Sequence, residues 1–525
     1  MSRPCTKEAQ ALLPQAVRLH QAGRLAEAVE TYHRALAADP HCFEAYYNLG
    51  VALFQQDQIV LARRAFARAV ELQPRDAEAM SNLAKCHKEL GRLEEAEELY
   101  RRALALAPRP EIHSNLLLLL SYLPGLHQAR LLAEHRAWAR RFETPLAAHL
   151  APYANPPDPE RPLQVGLVSP DLRRHPVAFF LLPVLEALDQ ERYPITCYAN
   201  SPVEDEVTAW LQALARRWRR TASLDDAQMA AQIRADGIDL LIDLAGHTAG
   251  NRLTVFARRP APVQATWLGY ELTTGLTAMD YLLSDTHSLP PGCEAFFTEE
   301  VVRLPGGHLC FRPPDYAPEV TPLPCLVLGG FTLGCFNNPA KINREVARLW
   351  ARVLEAIPRA RLVVGYKTLR HRREQEVMRR RLAEAGMDPT RLEVAGWEDH
   401  ARALAAYQAV DLALDPFPHG GTTTTFEALW MGVPVLTLPG DSPVSRLSVA
   451  PLRELGLDEL ETTSPDQYVA TAVALARAPQ RLAAWRAELR QRMAASSLCR
   501  GEALARRLEE AWREMWRRWC AGQRR

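Results

Sequence analysis

Apolar and polar positions change period along this chain. In roughly the first 120 residues, small and apolar side chains recur three and four apart, the spacing of amphipathic helices. They also recur at a longer interval. Gly23, Asp57 and Gly91 are 34 apart, as are Ala28, Ala62 and Ala96; Tyr32, Phe66 and Tyr100; Ala35, Ala69 and Ala103; and Pro40, Pro74 and Pro108. Beyond residue 162 the pattern becomes short apolar runs alternating with helical stretches. That alternation predicts parallel sheets covered by helices.

Five registers sharing one period predict paired antiparallel helices of the tetratricopeptide kind. Residues 10–43, 44–77 and 78–110 form the clear units, and Ile112 to Tyr122 begins a truncated fourth. The small residues let two helices approach, the aromatic fills the space between them, and the proline ends the second helix. Stacked pairs make a curved surface suited to an extended peptide. Asn48 and Asn82 sit one period apart. Their amides could hold a peptide backbone or brace neighbouring helices, and periodicity leaves both open.

Helices are expected to about Leu150. Ala151 to Pro162 then carries five prolines in twelve residues, a stiff boundary. Strands are expected at Leu163–Val168, Tyr193–Tyr198, Ile238–Leu244, Val263–Trp267 and Tyr281–Leu283, with helices over Phe179–Leu188 and Glu204–Leu211. A second proline-rich crossing, Pro313–Pro324, precedes expected strands at Leu326–Leu333, Ala360–Tyr366, Leu392–Val394, Val410–Leu414 and Val433–Leu438, with a helix over Arg344–Ala356. The domain plan is therefore repeats over 1–122, a helical and proline-rich linker over 123–162, one α/β domain over 163–315, a second over 325–500, and a last helix over 501–525. Two doubly wound domains facing each other would present strand ends to a large polar ligand.

The stretch Asp415-Pro-Phe-Pro-His-Gly-Gly-Thr-Thr-Thr-Thr425 joins a strand to a helix through glycines and threonines. Free N–H groups and hydroxyls at a helix start bind phosphate; a plain threonine-rich helix start is the alternative. Lys341 is read as a lysine in the first turn of a helix, where it opposes the dipole, and so as a candidate functional cation, with a solvent-facing lysine as the alternative.

Charge narrows the partners. With 63 basic and 62 acidic residues, formal net charge +1, nothing marks a nucleic-acid surface. No apolar run reaches membrane-spanning length. Ten cysteines lack a CxxC pair or a zinc-like cluster, so thiols in a reducing, cytoplasmic compartment are expected, with no metal site. Met1 to Gln10 is polar and lacks a secretory apolar segment.

Several stretches together resemble the protein O-linked N-acetylglucosamine transferases and their plant and bacterial relatives. They are Asp171-Leu-Arg-Arg-His-Pro176, Asp243-Leu-Ala-Gly-His-Thr248, Pro262-Val-Gln-Ala-Thr-Trp-Leu-Gly-Tyr270, Met279-Asp-Tyr281, Phe336-Asn-Asn-Pro-Ala-Lys-Ile342 and Gly421 to Leu429. The resemblance covers nearly the whole chain. It implies tetratricopeptide repeats followed by a two-domain α/β GT-B glycosyltransferase. It further implies inverting, metal-independent transfer to serine or threonine of intracellular proteins, with no cofactor beyond the donor, UDP-N-acetylglucosamine. The repeats would hold the protein or peptide acceptor. Protein O-fucosyl transfer from GDP-fucose, glucosyl transfer to asparagine, and a non-catalytic repeat scaffold are the alternatives.

The resemblance also implies residue roles. Lys341 meets the donor diphosphate, and Asn338 stands where animal members carry glutamine. Thr422, Thr423 and Thr424 lie at the phosphates, with Thr422 replacing a histidine of animal members, and Glu427 holds the ribose in place of an aspartate. His175 lines the acceptor side as a catalytic candidate, suited to substrate positioning more readily than to the general-base role. His247, where animal members have tyrosine, touches acceptor or sugar, or braces its loop. His400 lies beside the nucleotide base, which takes backbone contacts from Ala395. Trp397 replaces a lysine that helps hold uridine, and either stacks on the base or covers an apolar seam. Asn48 and Asn82 match the family's peptide-holding asparagines.

Overall fold

The computed structural model describes residues 5–149 and 152–522; Leu150 and Ala151, where helix was expected to give way to linker, lie outside the described residues, as does the expected polar start before Cys5. The chain divides into two compact units. One comprises residues up to Pro124, Pro324–Phe417 and Ala472–Arg477; the other comprises Gly125–Leu323, Pro418–Thr471 and the residues from Ala478 onward.

The first unit opens with seven helices: α1 Lys7–Gln21, α2 Leu25–Ala38, α3 Phe43–Gln55, α4 Ile59–Leu72, α5 Ala77–Glu89, α6 Leu93–Leu106 and α7 Pro110–Leu120. They pair as the 34-residue period predicts. Tyr32, Phe66 and Tyr100 are all at most 1 % exposed, filling the space between paired helices. The position shared by Gly23, Asp57 and Gly91 turns the chain with φ of 74°, 61° and 71°. A left-handed backbone favours glycine there, so Asp57 bears strain that the glycines avoid. Cys5 and Cys42 form a disulfide that ties the chain ahead of α1 to the α2–α3 turn. This corrects the expectation of unpaired thiols, because residues 37 apart in sequence give no local spacing signal.

After the repeats, the same unit carries parallel strands β8 Thr332–Cys335, β9 Arg361–Gly365, β10 Leu392–Ala395 and β11 Leu412–Leu414, side by side in the order β10-β9-β8-β11. The apolar run Leu326–Leu333 is not one strand. Cys325–Gly329 coils as a π-helical turn, and strand begins only at Thr332. Gly329 and Gly330 have φ of 68° and 131°, which breaks the extended run. The helix Arg344–Ala356 matches its expected bounds, because Asn343 caps it by accepting from the Glu345 and Val346 N–H groups at 2.9 and 3.0 Å.

The second unit holds a seven-stranded parallel sheet: β1 Val165–Ser169, β2 Ile195–Ala199, β3 Arg217–Arg220, β4 Leu240–Asp243, β5 Val263–Thr266, β6 Tyr281–Ser284 and β7 Glu300–Arg303, ordered β3-β2-β1-β4-β5-β6-β7. Central strands β1, β2 and β4 are wholly buried. The edge strands β3 and β7 are charged and part-exposed, and no apolar run announced them. The helix Gly501–Cys520 packs on Pro176–Ala187. A Cβ at Gly501 would lie 1.9 Å from the Pro183 carbonyl, so glycine permits that approach. Among the described residues, no helix is long and apolar enough to cross a membrane.

Candidate functional site

In the first unit, the C-terminal edge of the parallel sheet carries the candidate chemistry, as expected for open α/β sheets. The chain leaves β8 through Phe336, Asn337 and Asn338 into a 3-10 turn, Pro339–Lys341. Lys341 therefore precedes the Asn343 cap and lies outside the helix Arg344–Ala356. This corrects the expected first-turn placement: the Asn343 cap starts the helix after the lysine, so opposition to the dipole is not the reason to single Lys341 out. Its environment is. Burial pushes the Lys341 ammonium down to about 8, partly opposed by Asp415. Asp415 follows β11, the neighbour of β8, and is 1 % exposed. Asn343 Nδ2 donates to the Phe417 carbonyl at 2.6 Å, which ties this turn to the loop after β11.

Asn338 opens the 3-10 turn. Its Oδ1 accepts from the Ala340 N–H at 2.9 Å, and its Nδ2 donates to Glu89 Oε2 at 3.2 Å. It also hydrogen-bonds Tyr366, whose phenol burial raises. Ala395 ends β10, and its carbonyl accepts the Tyr366 N–H at 3.2 Å. Trp397 is half-buried. Its indole lies over Gly365, where a Cβ would come within 1.9 Å of it, and meets Phe336 edge-on with centroids 4.8 Å apart. His400 begins the helix His400–Ala406, capped by Asp399.

The second unit holds the threonines and the two histidines. Thr423–Trp430 is a helix with Thr422 at its cap and half-exposed Thr422–Thr424 at its start. Thr425 Oγ1 turns inward to the Gly421 carbonyl and Ser448, fixing the loop beneath them. Glu427 is half-exposed on the same helix. Phe426, fully buried, meets Phe180 edge-on at 5.0 Å, and Phe180 belongs to the helix Pro176–Ala187. His175 caps that helix. The structure thus brings the His175 helix and the threonine helix into contact.

His175 Nδ1 accepts from the Val177 N–H at 3.4 Å, which leaves Nε2 3.7 Å from Asp171 Oδ1. Burial raises the Asp171 carboxyl to about 6. Sequence reasoning gave Asp171 no role, although it sits four residues before His175 just past a strand. For His247, expected either to touch acceptor or sugar or to brace its loop, the structure favours the second role. Its ring is 1 % exposed, its Nε2 lies 2.8 Å from the Thr274 carbonyl, and His135, Trp138 and Tyr270 surround it. A ring so enclosed braces its loop and offers no face to an acceptor. In the repeats, Asn82 Nδ2 donates to the Tyr47 hydroxyl at 3.3 Å, and Asn48 is half-buried on α3.

The first unit thus joins a helical repeat array to a parallel α/β sheet with Lys341 on the turn past β8, and the second joins a parallel sheet to a threonine-lined helix start, the architecture of a glycosyltransferase with repeats. The chain belongs to glycosyl transferase family 41, whose model matches residues 110–310 and 330–508. Tetratricopeptide models match residues 41–109 and 18–57. A solved structure of a Thermobaculum terrenum O-GlcNAc transferase, mutant K341M, is similar over 100 % of both chains, with TM-score 0.92 and 37 % identity. The probable UDP-N-acetylglucosamine–peptide N-acetylglucosaminyltransferase SPINDLY of Solanum lycopersicum is 37 % identical over 416 residues, 78 % of this chain and 44 % of that one. The probable transferase SEC of Arabidopsis thaliana is 30 % identical over 380 residues, 69 % of this chain and 38 % of that one. The chain thus spans less than half the length of these curated relatives. The expected fold, repeats followed by a two-domain α/β GT-B body, is borne out.

Proposed function

We propose that this chain is an inverting protein O-glycosyltransferase that moves N-acetylglucosamine from UDP-N-acetylglucosamine to serine or threonine of intracellular proteins. The observation that carries the reading is Lys341, a half-buried cation beside Asp415 on the turn leaving the central strand β8, held below its ordinary pKa by burial. In such a reaction the acceptor hydroxyl oxygen bonds to the anomeric carbon as the bond to the diphosphate oxygen breaks. The hydroxyl proton passes to a base, and the nucleoside diphosphate leaves with added negative charge. A cation in a site poor in water stabilises that charge strongly. Asn338 adds an amide at the same turn. Thr422–Thr424 offer hydroxyls and helix-start N–H groups suited to phosphate, and Glu427 a carboxylate suited to ribose hydroxyls. His175, held by its cap and by Asp171, suits acceptor positioning. The names of relatives such as SPINDLY and SEC support the donor and the peptide acceptor.

The test is a donor panel. Purified protein is incubated with UDP-N-acetylglucosamine or GDP-fucose and a protein acceptor, and intact mass and modified residues are read. N-acetylhexosamine on serine or threonine is expected. Deoxyhexose from GDP-fucose would replace the donor, modified asparagine would replace the acceptor, and no transfer with no donor hydrolysis would leave only a scaffold.

A further inference from the structure

The turn that carries Asn338 and Lys341 is held partly by the repeats. Arg381, on the helix Arg372–Glu384, spans the two. Its Nη1 donates to the Leu90 carbonyl at 3.0 Å, just past α5. Its Nη2 donates to the Pro339 carbonyl at 3.3 Å and to the Ile342 carbonyl. Those two carbonyls bracket Lys341. The guanidinium lies flat against the bare backbone of Gly91, where a Cβ would meet it at 2.4 Å. Glu89, the last residue of α5, makes a second link through Asn338 Nδ2 at 3.2 Å. The same helix is fastened to the array at its other end. Glu374 accepts the Val60 N–H at 2.9 Å, His371 Nε2 lies 2.9 Å from the Gln56 carbonyl, and Arg370 pairs with Asp57 at 3.1 Å.

We propose that Arg381 and Glu89 are positioning residues for sugar transfer: through them the repeat array sets the place of Asn338 and Lys341, so the repeats act on donor turnover as well as on acceptor capture. This rests on the reading of Lys341 as the diphosphate cation. Burial costs the guanidinium solvation, and three fixed carbonyls replace the lost water. A planar fork meets carbonyls of two segments at once, which an ammonium or a thioether cannot copy. Loosening a turn that bears a charge-stabilising group lowers kcat more than it raises KM.

The experiment measures donor hydrolysis without acceptor, peptide transfer, melting temperature, and UDP and GDP affinity for the full chain and the variants R381M, R381K, E89A and E89Q. Expected is a fall in kcat for hydrolysis of about tenfold in R381M and about fivefold in E89A, with acceptor KM within about twofold of wild type. E89Q keeps an acceptor for Asn338 and should stay within about twofold of wild type. If R381M does not fold, R381K and the Glu89 pair carry the test. Hydrolysis within twofold of wild type in every folded Arg381 variant and in E89A would overturn the inference. So would a loss confined to acceptor KM, or E89Q falling as far as E89A. If wild type neither hydrolyses a donor nor transfers sugar to an acceptor, the proposed function fails. Nucleotide affinity then decides the positioning role, with about fivefold weaker binding supporting it and unchanged binding overturning it.

Discussion

Lys341 and Asp171 are both titratable groups displaced by burial, in opposite senses. Replacing Lys341 with alanine should cut turnover by about 10²–10³, the cost of about 3–4 kcal/mol of lost charge stabilisation. The fold should not suffer. A lysine depressed to about 8 opposes folding below that pH and relaxes only as pH rises toward its ordinary value. The alanine variant should therefore melt no lower than wild type at neutral pH. The free enzyme should also lose kcat/KM for donor as pH rises through about 8, where the ammonium gives up its proton. A flat kcat/KM profile to pH 10, or an alanine variant turning over within twofold, would remove Lys341 from the chemistry. For Asp171 the sign runs the other way. A carboxyl raised from 3.8 to about 6 weakens the fold progressively between those values and fully above them. Asp171→Asn should then raise stability at pH 7 by up to about 3 kcal/mol, with no gain below pH 4. Turnover should drop, because His175 loses its carboxylate partner. Chemical denaturation across pH, set beside donor and transfer kinetics, checks both halves.

Among elements, the β10 loop and the repeat helices give separable expectations. Trp397 covers Gly365 and meets Phe336, so Trp397→Ala should lower stability by about 2 kcal/mol. UDP and GDP affinity should weaken equally, since a packing defect reads no base edge. An unchanged melting temperature with a selective loss for one nucleotide would assign the indole to the base instead. Asn82 is engaged by Tyr47, so Asn82→Ala should cost about 1 kcal/mol of stability. Asn48→Ala should leave stability alone and reduce efficiency at low protein-acceptor concentration. Matching effects in the two variants would show that both residues brace helices or both hold peptide. Elements also show what a sequence discloses. The repeats were legible because one period recurs in five registers. Arg344–Ala356 was legible because its cap and its apolar face lie within one segment. The strands β3 and β7 were not, because edge strands carry the charges that protect them from pairing. Leu326–Leu333 misled because an apolar run does not reveal the backbone angles of its glycines.

Across the molecule, the candidates that a sequence can offer are those whose chemistry sits inside a short stretch: Lys341 with Asn338, the threonines with Glu427, His175. Arg381 is not among them, because its partners Leu90 and Ile342 lie 291 and 39 residues away. The choice between the two expected roles of His247 stayed open for the same reason, since its neighbours His135 and Tyr270 come from separate segments.

Asp57 carries a consequence of another kind. Of the three turn positions in its register, this one alone bears a side chain, and that side chain pairs with Arg370 3.1 Å away and Lys367 3.7 Å away. The array is moored at its second turn and again at Leu90, whereas the Gly23 turn has open space beside its Cα. Such an array is a ruler fixed at one end: units spliced in before α3 extend its reach without disturbing the moorings, while a unit inserted between Asp57 and Leu90 pulls them out of register. Chimaeras with one added 34-residue unit should keep donor hydrolysis in the first position and lose it in the second. On this reading, repeats added before α3 lengthen the array while the turns at Asp57 and Leu90 keep their partners.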